Sequence, residues 1–84
     1  MDNQTVDTTI TDPASRTAAS WSARFAALKS RGVTDDDPRA AECVAALSFH
    51  RLKRVIDGEV ASGNMTPRFA ETITDRLREQ AAAQ

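Results

Sequence analysis

The residues able to do chemistry in this 84-residue chain are few, and their spacing keeps them apart. There is one cysteine, Cys43, one histidine, His50, and no tyrosine. Seven positions on a helix separate Cys43 from His50 by two turns and about 10 Å of rise, too far for the hydrogen-bonded pair that activates a thiol nucleophile. Zinc asks for four ligands, and nothing else at sensible spacing joins these two. The run Asp35-Asp36-Asp37 lacks the glycine and terminal glutamate of a calcium loop. Gly58 and Gly63 follow no strand and precede no Gly-Lys-Ser/Thr, so they do not form a phosphate loop. Asn3-Gln4-Thr5 and Asn64-Met65-Thr66 match the glycosylation triplet, which matters only in a secreted chain. The expectation is a protein that is not an enzyme, with no catalytic residues, no metal site and no cofactor.

Two features point instead to binding. His50, Arg51, Lys53 and Arg54 spread over an arc of the helix opposite Leu52 and form a basic patch, suited to phosphate or an acidic partner. Ala40, Cys43, Ala46 and Leu47 form an additional apolar surface beyond what the middle helix of a small bundle needs. Small residues let helices approach closely, so this second patch is the expected docking surface for another protein or a second copy of the chain.

The elements that carry these residues are announced by their ends. Asp12-Pro13, Asp37-Pro38 and Thr66-Pro67 each place an N–H acceptor directly before a proline. That is the chemistry of a helix start, because proline lacks a donor that the first turn would leave unpaired. The expected helices span about 13–31, 38–62 and 66–80. Gly32 and Gly63 follow the first two, with Val33 placed to fold back on Leu28 in a glycine-capped end. Apolar stripes at helical spacing run through Ala14, Ala18, Trp21, Phe25 and Leu28, and through Phe69, Ala70, Ile73 and Leu77. In the middle segment Ala41, Val44, Ala45, Ser48, Phe49, Leu52, Val55, Ile56 and Val60 share one broad face. Gly58 is its weak point, at about 1 kcal/mol against alanine. The connections are short, so neighbouring helices run antiparallel.

The fold class expected is all-α: an antiparallel three-helix bundle over 13–84, preceded by a disordered acidic N-terminal arm over 1–12. The arm holds Asp2, Asp7 and Asp12, with Val6 and Ile10 its only sizeable apolar residues after Met1. A strand-like alternation at Val6 to Ile10 is the lesser reading. The expected core is Trp21, Phe25, Leu28, Val44, Leu52, Val55, Ile56, Phe69, Ile73 and Leu77.

Charge and composition narrow the partners. Removing the three arm aspartates leaves 11 basic against 9 acidic side chains, well short of the positive excess of a dedicated nucleic-acid domain. The third helix mixes Glu71, Asp75 and Glu79 with its arginines, which disfavours it as a probe of a DNA groove. No apolar run approaches the ~18–20 residues of a membrane span, the N-terminus does not resemble a secretory signal, and a lone cysteine suits a reducing compartment. A cytoplasmic setting is expected. Arg, Ala, Asp and Thr are favoured over Lys, Ile and Asn, as in a GC-rich bacterial or phage/mobile-element gene, and the initial methionine and polar end suit a complete protein. The functional expectation is a small non-enzymatic helical protein–protein interaction or regulatory module. The alternative is a DNA- or RNA-associated regulator using His50, Arg51, Lys53 and Arg54.

Overall fold

The computed structural model describes residues 12–82, which form three α-helices and no strand among the described residues. Helix α1 spans Ala18–Ser30, α2 spans Pro38–Ala61 and α3 spans Pro67–Ala82, with a short 3₁₀ turn at Pro13–Ser15 before α1. The all-α class and the three helices agree with the sequence. The acidic arm, Asp12 apart, lies outside the described residues, as does the strand-like alternative at Val6 to Ile10.

The helix ends form for the reasons their residues supply. The side chain of Asp37 accepts from the N–H of Arg39 at 2.8 Å, and Thr66 Oγ1 accepts from the N–H of Phe69 at 3.2 Å. Gly32 donates to Lys29 O at 2.9 Å while Val33 donates to Leu28 O at 3.1 Å. Gly63 and Asn64 repeat that pattern onto Val60 and Glu59. Both glycines take positive φ, 86° and 80°, a left-handed turn that a Cβ would strain, and both helices are closed by the same pair of bonds. Gly58 does not break α2, whose 24 residues run through it for about 36 Å.

The first proline starts a different element from the one expected. Asp12 does cap Pro13–Ser15, accepting from the N–H of Ala14 at 2.9 Å, but Arg16 is extended (φ −133°, ψ 154°) and ends the turn. Thr17 then caps α1 itself, its Oγ1 accepting from the N–H of Ser20 at 3.1 Å. The expected start at Pro13 is therefore early by five residues, because Thr17 offers a second and better-placed cap. The expected end of α3 at Gln80 extends to Ala82.

Helix α2 lies between the other two. Arg16 O meets His50 while Arg24 lies 3.9 Å from Glu42, so α1 and α2 run in opposite directions. The start of α3 faces Lys53, Asp57 and Val60, whereas its end faces the first half of α2, so this pair is antiparallel too. No α-carbon of α1 comes within 8 Å of one in α3. Helix α1 packs on α2, α3 packs on α2 and on the Pro13–Ser15 turn, and α1 and α3 do not meet.

The core takes only Phe49 and Ile56 from the broad face of α2 and adds Ala40, Cys43 and Ala46 beside it. Trp21, Leu28, Cys43 and Ala46 are buried together, with Phe25, Val33 and Leu47 partly buried against them; Ala40, Phe49, Ile56 and Ala70 are also buried. Trp21, Leu28 and Ile56 confirm the expected core, and Phe25, Ile73 and Leu77 are half-buried. Val44, Leu52, Val55 and Phe69 are exposed, at 49, 46, 59 and 57 %, and correct the expected list. Trp21, which is 1 % exposed, is the physical reason. An indole needs room, and only the small residues Cys43 and Ala46 let α1 come close enough to enclose it.

Candidate interaction groove

The packing between α1 and α2 accounts for both patches read from the sequence. Ala40, Cys43 and Ala46 are buried and Leu47 is half-buried beneath α1 and the connection that follows it. The small-residue surface assigned to an outside partner is thus occupied by this chain's own α1. The sequence lacked the information to choose, because the first half of α2 is apolar nearly all round. Burial pushes the Cys43 thiol above its ordinary pKa, leaving a neutral core side chain with little thiolate character.

The basic patch is divided by the same packing. His50 Nε2 lies 2.9 Å from Pro13 O and 3.0 Å from Arg16 O. Two carbonyls can only accept, so this nitrogen carries the hydrogen and donates to both. The indole Nε1–H of Trp21 donates to the same Pro13 O at 2.8 Å. His50 and Trp21 together fasten the 3₁₀ turn onto α2. Lys53 is paired along its helix with Asp57 at 2.8 Å. Arg51 and Arg54 are exposed and form no ion pair with a described residue, so the structure brings only two of the four expected cations to a free surface.

Because α1 and α3 stay apart, the opposite face of α2 forms the floor of a groove. Its volume is about 620 Å³. Ala41, Ala45, Ser48 and Leu52 lie along the floor, with Phe25 of α1 on one wall and Leu77 of α3 on the other. The floor residues recur at intervals of four, three and four, the spacing of a helix seam. Val55, three positions after Leu52, continues the stripe beyond the groove. On α3, Phe69 and Ile73 precede Leu77 at four-residue intervals and extend its wall. Ser48 is the one polar residue of the floor, and charged groups lie at the rim. Asp35 is held by Lys29, and the Arg51 guanidinium donates to Ser48 Oγ at 3.1 Å.

The arrangement offers apolar area and shape and no reactive constellation. Among the described residues there is no group of three or more His, Cys, Asp or Glu able to hold a metal ion. No described helix is long and apolar enough to cross a membrane. A second hollow, about 340 Å³ between α2 and the start of α3, is edged by Lys53, Asp57, Glu71 and Asp75, and its charges are solvated. Of the groove residues, Phe25, Val44, Leu52 and Leu77 stand in the expected core, because large apolar side chains at helical spacing usually are core. The signal that distinguishes them is Trp21, which claims the small-residue face for itself.

A scan of family models finds none that matches this chain, and neither the curated proteins nor the solved structures yield a match.

Proposed function

We propose that this chain is a non-enzymatic interaction module that binds a helix of a protein partner in the groove between α1 and α3. The observation supporting the reading is that Val44 and Leu52, about half exposed, line the groove. An apolar groove left open to water marks contact surfaces in small proteins. Its dimensions suit an amphipathic helix that inserts anchors at i, i+4 and i+7. The role that follows is regulatory or adaptor-like, and the lone, buried cysteine suits a cytoplasmic, reducing setting.

A nucleic-acid role through the basic face is the weaker reading, because His50 is spent on the 3₁₀ turn and Lys53 on Asp57. One experiment separates the two. The protein and two variants, Leu52→Asp and Arg51→Ala/Arg54→Ala, are used as bait in the native host, and duplex DNA affinity is followed from low to physiological salt. The groove reading expects a protein partner lost on Leu52→Asp and retained by the arginine variant. Affinity for DNA that collapses with salt and disappears with the two arginines would overturn it.

A further inference from the structure

Resting on that groove reading, we infer that its occupant is an acidic amphipathic helix of a partner protein, with carboxylates on both flanks of its apolar seam. Inside, the groove is neutral: Asp35, the one acidic residue lining it, is paired with Lys29. Its edges differ from its floor. On the α2 edge stands Arg51, fixed by its bond to Ser48 Oγ at 3.1 Å, with Val44 seven residues before it and Val55 four after. On the α3 edge stands Arg76, exposed and four residues before Gln80, so it shares a face with a residue that lines the groove. Neither arginine forms an ion pair with a described residue. Glu79, three positions after Arg76, is turned about 60° further from the groove.

The register of the two helices sets these arginines opposite each other. Lys53, Asp57 and Val60 of α2 border the second hollow together with Pro67, Ala70 and Thr74 of α3. The helices are antiparallel, so Val60 is level with Pro67 and Lys53 with Thr74. Two residues along, Arg51 is level with Arg76. Two positive charges thus face each other across an apolar floor, with no acid between them to compensate. A basic partner would be repelled from both sides. An uncharged one would cover two guanidinium groups and leave them without a counter-charge, at a desolvation cost. A helix with Asp or Glu on both flanks answers each arginine with a carboxylate while its seam fills the floor. Charged positions beside a coiled-coil seam select partners in the same way.

The test uses the full chain and two labelled synthetic peptides. Both carry a leucine seam at i, i+4, i+7 and i+11 and differ only at the flanking positions, Glu in one and Lys in the other. Fluorescence anisotropy at about 20 mM salt is expected to show the Glu peptide binding about tenfold tighter or more, with the gap narrowing at about 500 mM as the charges are screened. Arg51→Gln/Arg76→Gln should bring the two affinities together, and Leu52→Asp should abolish both. Circular dichroism confirms that each variant remains helical. Equal affinities in the wild type, or a tighter Lys peptide, overturn the inference; if both are then lost on Leu52→Asp, the groove reading stands alone. Binding that begins only with Asp2→Asn/Asp7→Asn gives the groove to this chain's own N-terminus, and a dimer that excludes both peptides gives it to a second copy. Either result overturns the inference. If neither peptide binds a monomeric chain or its Asp2→Asn/Asp7→Asn variant, both readings fall.

Discussion

Adjacent alanines on α2 should respond in opposite ways to the same substitution. Ala46 is 2 % exposed and lies in the cluster with Trp21 and Leu28, whereas Ala45 is half-buried on the groove floor. Leucine at 46 inserts three carbons where the indole already fills the space, and overpacking of this kind costs roughly 1–3 kcal/mol. In a domain of this size each kcal/mol moves Tm by about 4–8 °C, so Ala46→Leu should lower Tm by roughly 8–16 °C at the centre of that range. Leucine at 45 projects into open groove and should remain within about 0.5 kcal/mol of the wild type. Thermal and urea denaturation followed by circular dichroism, at low micromolar concentration, measures both. Equal effects, or a larger loss from Ala45→Leu, would refute the assignment of the buried face.

Further consequences follow from individual contacts. His50→Ala removes the donor to two carbonyls, but Pro13 O keeps its bond from Trp21 and Arg16 O can turn to water; urea denaturation should show a loss of about 1–2 kcal/mol, with Trp21 fluorescence reporting a loosened 3₁₀ turn. Cys43, buried and held neutral, should resist alkylation in the native protein near neutral pH and react promptly in denaturant, as mass spectrometry of quenched time points would show. Asp37 is held below its ordinary carboxylate pKa by the hydrogen bond from the Arg39 side chain, then by the Arg39 backbone N–H. A lowered folded pKa contributes stability that is complete above the unfolded value and lost as pH falls through the folded one. Stability of the wild type should therefore decline below about pH 4, and Asp37→Asn should flatten that part of the pH profile. Thr17→Ala should cost about 1 kcal/mol as the loss of the α1 cap, measurable in the same melts.

The ends of the helices were legible because single residues decide them. Gly32 and Gly63 can adopt a backbone conformation that other residues resist, and the prolines at 38 and 67 suit only a first turn. Where two signals competed, as between Asp12-Pro13 and Thr17, residue types alone do not rank them, and the extended backbone at Arg16 decides for Thr17. The facing of α2 was hidden for a different reason. Apolar residues nearly encircle its first half, so periodicity yields no unique direction, and size favoured Leu52 and Val55 over Ala40 and Ala46. Burial was decided by fit to Trp21, a contact between segments more than 20 residues apart. The groove was illegible for the same reason: it exists only because α1 and α3 each prefer α2 to one another.

The claim on which the rest depends is that the α2 face carrying Leu52 is a contact surface. Native mass spectrometry of the protein recovered gently from its own cells, beside Leu52→Asp recovered in the same way, tests it most directly. The account predicts a complex heavier than 9.1 kDa for the wild type and the bare chain for the variant. Two bare chains, or two identical complexes, would contradict it.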